Sequence, residues 1–480
     1  MRNLYLILLS GVLIYFSGCA VGPDFEHPEY AGTNEFRFDT VNVAEDTIVN
    51  LKWWELFNDP VLDTLIAHAL IENKDVMIAA ARIESARANL GMTKAEQWPT
   101  LGYSANVAGG NFGGGMRFDN NSSAFNAYPE MYWEIGFWGK YRRMNESARA
   151  ELLASEYGMR TVQIGLISAV ASTYFALLEY QEKLRIARET YISRDSGLRI
   201  IKARFDYGIV AEIDYNQAQI QTAISAAAIP SYERAVANTE NALSVLLGKD
   251  PENIVTGVSL IDQDLPPEIP SGLPSQLLQR RPDVLQAEAL YAAQNARIGI
   301  AQALRWPSLN ITGLLGYATN DLMAFNAGGL AWAVAGSLTG PIFQFGKNKR
   351  RVDVERASTE AALLQYENVT LQAFKEVEDA LMAIKTYNEE LKAAKIRNDA
   401  AINAEMLSGQ RYDKGQTSYL EVLESQRQSF DAQLAYAQTQ SALLGSYIAL
   451  YKALGGGWLS PEEEQQAKDE QAAEEQKKQK

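Results

Sequence analysis

Cys19 is the residue whose chemistry the sequence states most directly. It is the only cysteine in the chain, so an intramolecular disulfide is excluded. Arg2 and an apolar run from Leu4 to Phe16 precede it. A run of about 13 residues suits a secretory h-region and falls short of the roughly 20 that a membrane helix needs. Ser17-Gly18-Cys19 then reads as a lipobox, where a signal peptidase cuts before the cysteine and the thiol is acylated. The bland alternative is an ordinary signal peptide followed by an unmodified thiol. No other segment reads as a membrane-spanning helix.

Carboxylates come next. Ser418-Tyr419-Leu420-Glu421 has the spacing of a capping box, in which the glutamate returns to the Ser418 amide. Glu424 lies one turn further in, outside the box. Glu130 and Glu134 fall on one alternate face of a strand pattern, where they either set a cation preference or make a wetted interior polar. His27 and His68 are isolated, without metal-ligand spacing. There is no nucleophile elbow, phosphate-cradling loop or Cys/His cluster, so catalysis, a metal and a cofactor all lack support. A net charge of −15 argues against nucleic acid, which needs a basic face.

The elements that carry these residues come in two copies. Arg204, Asp206, Gly208 and Gln219 recur as Arg411, Asp413, Gly415 and Gln426, an offset of 207 residues from Gly208 to Gly415. Asp75-Val76, Gly91, Trp98-Pro99 and Leu101 recur as Asp283-Val284, Gly299, Trp306-Pro307 and Leu309. Each copy reads as a helix ending at a Trp-Pro pair, two strands of period two, a very long helix, a glycine turn and a return helix. The predicted organisation is a signal peptide at 1–18, an extended segment at 19–60 and a first repeat at 61–250. A Pro-rich linker at 251–274, a second repeat at 275–457 and a charged, disordered tail at 458–480 follow. The strands fall within about 99–138 and 307–343, the long helices run to 207 and 414, and Pro230 should kink the first return helix.

Each long helix should reach roughly 100 Å. A 3,4 stripe of Ile167, Val170, Tyr174 and Leu177, then Gln181 and Leu184, is matched by Phe374, Val377, Leu381 and Ile384, then Asn388 and Leu391. Such a stripe argues for coiled-coil packing, with Gln181 and Asn388 either fixing register or facing solvent. Strands of this length suit a membrane barrel, with Leu101, Tyr103, Ala105 and Val107 facing lipid and Thr100, Gly102, Ser104 and Asn106 facing a lumen. Four strands cannot close alone, and open edges in lipid leave backbone groups unpaired, so several copies must close the sheet together.

Trp53-Trp54 with Phe57-Asn58-Asp59-Pro60, Arg280-Arg281-Pro282-Asp283-Val284, Gly340-Pro341-Ile342-Phe343 and the Tyr412…Gly415…Leu420…Gln426 turn together resemble the TolC-like outer-membrane factors. The similarity is to the lipoprotein branch serving resistance-nodulation-division efflux pumps, and it covers about residues 20–458. It implies a mainly α fold with a small membrane β-barrel: a homotrimer forming a 12-stranded barrel continuous with a helical periplasmic tunnel. It implies a channel lipid-anchored in the outer membrane, docked to a periplasmic adaptor and an inner-membrane pump, passive and not an enzyme. It also implies a constriction at the turns of Gly208 and Gly415, with Tyr412, Glu421 and Glu424 at gate positions and Asp214 as their first-copy partner. Thr417 stands where some members carry an arginine, so one closing bond is expected to be missing. Two alternatives remain: a channel for type I protein secretion, and a lipid-anchored periplasmic coiled coil without a pore.

Overall fold

A computed structural model describes residues 21–28, 36–37, 53–110, 122–266, 280–319 and 329–456. Cys19, the signal segment and the 458–480 tail lie outside the described residues.

A 3₁₀ turn at Trp53–Phe57 leads into α1 (Pro60–Glu72). The Asp59 carboxylate caps this helix by accepting from the amides of Val61 and Leu62, and Pro60 occupies the position where a missing N–H costs nothing. Asn73 then closes α1 and opens α2 (Lys74–Ala95), its side-chain oxygen accepting from the amides of Asp75 and Val76. β1 (Thr100–Gly110) and β2 (Ser122–Ile135) precede α3 (Lys140–Asp206), and α4 (Glu212–Leu246) returns. The second copy supplies α5 (Pro282–Ala303), β3 (Ser308–Thr319), β4 (Gly329–Thr339), α6 (Lys347–Asp413) and α7 (Tyr419–Ala453). Both long helices have 67 residues and both return helices 35, so the duplication is kept to the residue. α4 continues as one helix through Pro230.

The chain divides into two compact units: Met1–Tyr30, Ala81–Tyr157 and Gln286–Asn368 form one, and Ala31–Ala80, Gly158–Leu285 and Val369–Lys480 the other. Each unit draws on both repeats, so the boundaries at 61–250 and 275–457 mark a duplication and not two compact bodies.

The first unit contains one antiparallel sheet in the order β1-β2-β3-β4. Its register pairs Leu101 with Met131, Trp133 with Ile311 and Leu315 with Trp332, so the apolar alternates of all four strands share a face. That face is bare: Leu101, Tyr103, Leu330, Trp332, Val334 and Leu338 are each more than 70% exposed.

The core of the second unit is built around buried aromatics. Trp53 stacks on Tyr451 at 4.9 Å, and Phe57 meets Phe175. Fully buried Asp59 accepts from the Tyr174 hydroxyl at 2.6 Å and from Gln263 Nε2 at 3.0 Å, while the Gly257 amide donates to the same hydroxyl. Burial first, then the bond to Asp59, pushes the Tyr174 phenol up. The described part of the Pro-rich 251–274 segment is therefore no slack linker. Leu260 is buried in it, and Gln440 donates to the Leu260 carbonyl.

One expectation stands against an apparent exception, and one changes. A window of α3 is apolar enough, at a mean hydropathy of 1.6, to match a membrane helix by composition. It is 56% buried, with Val170, Tyr174 and Leu177 at 0% exposure, so its apolarity serves the helical core. The stripe is also uneven. In the first copy Ile186 and Ala187 take over burial from half-buried Leu184, and in the second Leu381, Ile384 and Leu391 are only half-buried. Among the described residues neither polar interruption bonds to a facing stripe: Gln181 accepts from Thr256, and Asn388 donates back to Ile384 of its own helix.

Candidate functional site

The two long helices end alike. Gly208 and Gly415 have φ of 69° and 71°, a left-handed conformation that costs a Cβ-bearing residue dearly. Around them the amides of Gly208 and Ile209 donate to the carbonyls of Phe205 and Arg204. The amides of Gly415 and Gln416 donate to those of Tyr412 and Arg411. Both are Schellman closures, which satisfy carbonyls that a helix end leaves orphaned.

The side chains then diverge. Across Gly415, Arg411 Nη1 donates to Glu421 at 2.7 Å, and the Thr417 hydroxyl donates to the other oxygen of the same carboxylate. The expected capping box does not form. Ser418 makes no side-chain cap, and the Glu421 carboxylate is drawn back toward Arg411 and Thr417 and away from the Ser418 amide. Thr417 thus bonds within its own turn, to Glu421 four residues on. Glu424 accepts from Arg427 at 2.6 and 3.0 Å and from Gln428 at 2.7 Å. These bonds, that from Arg427 foremost, hold its carboxyl below the usual range.

Across Gly208 the equivalent pair is Arg204 and Asp214, and among the described residues no ion pair joins them. Aspartate is one methylene shorter than glutamate, and Val210 stands at the place of Thr417 with no hydroxyl to give. Arg204 lies instead over the ring of Tyr412, 5.1 Å from its centroid, and so connects the two turns. Tyr412 is in contact with Tyr419 at 5.3 Å, while its first-copy counterpart, Phe205, stacks on Tyr215 at 5.5 Å. No hydrogen bond among the described residues links Tyr412 to Asp214. The charge of Asp214 is felt at Tyr419, whose phenol is pushed up to about 12 by burial first, then by Tyr412 and Asp214. Tyr419 is a member of the cluster that sequence reasoning missed, and its adjacency to the Ser418 cap was the available signal.

Arg194 was missed as well. It is 4% exposed on α3, donates to the Gln221 carbonyl of α4 at 2.9 Å and the Gln426 carbonyl of α7 at 3.3 Å, and lies over Phe430 at 5.2 Å. One guanidinium thus ties a long helix to both return helices, and burial pulls its pKa down. An arginine within a polar helical run gives no sequence signal of burial.

In the sheet, Glu130 and Glu134 share the face opposite the bare apolar one. Glu130 packs over Gly102, and Glu134 pairs with Lys140 at 3.0 Å. Tyr132 on the same face donates to Asn310 at 2.8 Å. Among the described residues β1 and β4 each have one neighbouring strand, so their outer edges carry backbone groups without a strand partner there. Just beyond the Cys19 position, Arg143 holds the carbonyls of Val21 and Gly22 and the Asp24 carboxylate, and the Val21 amide donates to Trp138.

The family model described as "Outer membrane efflux protein" matches residues 65–249 and 273–456. The chain is 31% identical to the toluene efflux pump outer membrane protein TtgC of Pseudomonas putida over 465 residues, 94% of this chain and 96% of that one. It is 30% identical to the cation efflux system protein CusC of Escherichia coli, covering 93% of this chain and 97% of the relative. Among solved structures, the CmeC outer membrane channel of Campylobacter jejuni matches with a TM-score of 0.86 at 26% identity, over 94% of this chain and 98% of that one.

Proposed function

The chain belongs to the outer membrane efflux protein family and is an outer-membrane efflux channel; from that premise we propose that it works as a homotrimeric exit duct gated at the paired glycine turns. The observation that carries this reading is the sheet: one bare apolar face, one polar face and two unpaired edges. Such a sheet is stable in lipid only when its edges are closed by other copies, and three copies of four strands give a 12-stranded barrel.

Glu130 and Glu134 then face the lumen. The half-buried stripe of Leu381, Ile384 and Leu391 packs against neighbouring copies in the periplasmic tunnel. At its end, Tyr412, Tyr419, Asp214, Glu421 and Glu424 surround the axis in repeated copies. The cross-turn contact of Arg204 with Tyr412 and the Arg411–Glu421 bond hold the constriction closed. Cleavage after residue 18 and acylation of Cys19 give a lipid anchor two residues before Val21, whose carbonyl Arg143 holds.

The channel is passive, and it completes a tripartite pump with a periplasmic adaptor and an inner-membrane resistance-nodulation-division transporter. Relatives named for toluene and for cations share this duct, so the cargo is set by the pump. Deleting the chain and restoring it is the test. Sensitivity to drugs, solvents or metal ions should rise on deletion and revert on complementation, with the purified protein trimeric by native mass spectrometry. A monomeric protein, or a deletion without any change in sensitivity, contradicts the proposal.

A further inference from the structure

The two long helices begin on matching cations that meet opposite fates. In the first copy each is answered by an acid. Lys140 pairs with Glu134 at 3.0 Å and Arg142 with Glu146 at 3.4 Å, while buried Arg143 holds Asp24 and Glu146, both at 2.8 Å. Their counterparts 207 residues on are Lys347, Lys349 and Arg350.

The acids do not recur. Pro341 stands at the place of Glu134, the segment that carries Asp24 occurs once, and Asp353 replaces Glu146 with a side chain one methylene shorter. From Gly329 to Val352 the sequence contains no acidic residue. Among the described residues the side chains of Lys347 and Lys349 have no partner, and both are exposed. Arg350 comes no nearer than 3.6 Å to Asp353, and its side chain is 83% exposed. Lys347 and Arg350, three residues apart, share a face of α6.

The residues just before these cations are apolar and bare. Ile342, Phe343 and Phe345 are exposed, the two rings meeting only each other at 4.6 Å among the described residues. They follow β4, whose Leu330, Trp332, Val334 and Leu338 belong to the bare apolar face of the sheet. Apolar side chains that give way to unanswered cations match the order of a bilayer, acyl chains first and phosphates next. We infer that Lys347 and Arg350 bind the headgroup phosphate of an anionic phospholipid in the leaflet facing the periplasm, with Ile342, Phe343 and Phe345 seated among its acyl chains. The inference rests on the outer-membrane channel reading given above and adds a lipid ligand to it.

Arg143 shows which way such a side chain reaches. It holds the carbonyls of Val21 and Gly22, two and three residues beyond Cys19. With Cys19 acylated, that stretch of chain descends from the membrane, so the equivalent position on α6 is at headgroup level too. Lysine and arginine suit this level, because their apolar stems lie along acyl chains while the charge reaches the phosphate. Lys349 adds to the local positive field, which draws anionic lipid over neutral lipid.

The test uses the full-length protein in detergent, titrated with phosphatidylglycerol or with phosphatidylcholine of the same acyl chains. Bound lipid is counted per chain by native mass spectrometry. A cation at an anionic lipid surface is worth roughly fivefold in binding, so two should give a preference for phosphatidylglycerol on the order of tenfold or more. Lys347→Ala with Arg350→Ala should abolish that preference. Arg188→Ala with Lys375→Ala removes the same charge from ion-paired side chains of the other compact unit and should leave it intact. Phe343→Ala with Phe345→Ala should weaken the binding of both lipids alike, and excess inorganic phosphate should displace neither. A Lys347/Arg350 variant that keeps the preference overturns the inference, as does displacement of the lipid by phosphate. A lower trimer dissociation temperature with the preference unchanged also overturns it, and would assign the cations to a neighbouring copy. Because lipid is counted per chain, a monomeric protein that keeps the preference contradicts the proposed trimer and supports this inference.

Discussion

Arg411 reaches across Gly415 to hold Glu421 at 2.7 Å, whereas the equivalent Arg204 turns away from Asp214 and lies over Tyr412. The two turns have the same backbone and different locks. One is closed on itself; the other is fastened to its twin.

Breaking the self-closed lock should change conductance far more than stability. Arg411 and Glu421 are 53% and 41% exposed, so Glu421→Gln should cost only about 0.3–1 kcal/mol. Thermal unfolding should therefore shift by a degree or two, while single-channel conductance in planar bilayers rises. A large loss of melting temperature without a change in conductance would assign the pair to folding alone.

Arg194 should matter for folding first. Arg194→Ala removes two bonds to helix carbonyls and a buried side chain, an effect on the order of 3 kcal/mol. Arg194→Met keeps most of the volume and no longer buries a charge, so it should recover more than half of the loss. Melting temperatures of the two variants in detergent decide this; equal losses would mean that packing is irrelevant there.

Tyr174→Phe removes the donor to buried Asp59 and the acceptor of the Gly257 amide. The cost should be about 1 kcal/mol, because buried Asp59 loses its shortest donor while Gln263 and two helix amides still serve it, and exposed Gly257 can turn its amide to water. Denaturant midpoints would show it, and a neutral substitution would contradict the network.

How much of this was legible in the sequence depends on the kind of signal. The helices, turns and sheet alternation were readable because period, glycine punctuation and duplication agree, and the offset of 207 residues holds through both 67-residue helices. Partner choice was not readable. Ser418 and Glu421 have the spacing of a capping box, but Arg411, ten residues before Glu421 and across a turn, offers a charged donor that the box cannot match. Arg194 looks like any solvated helix cation until three helices close over it. The packing of the Pro-rich segment around Leu260 was not readable, because proline content does not report which surface a segment will meet.

The Tyr419 phenol gives a pH test. Its pKa is raised from 10 to about 12 in the fold, so the contribution is complete below pH 10 and is lost as pH rises through about 12. Difference absorbance titration of the wild type against Tyr419→Phe should reveal one phenol ionising near 12. One ionising near 10 would place Tyr419 in open water.

The central claim is that the locks at the turns close a duct. Single-channel recording of the purified protein in planar bilayers, with Arg204→Ala and Glu421→Gln combined, tests it most directly. The wild type should conduct weakly and the double variant several-fold more; a wild type that forms no channels, or a double variant that conducts as the wild type does, would contradict the account.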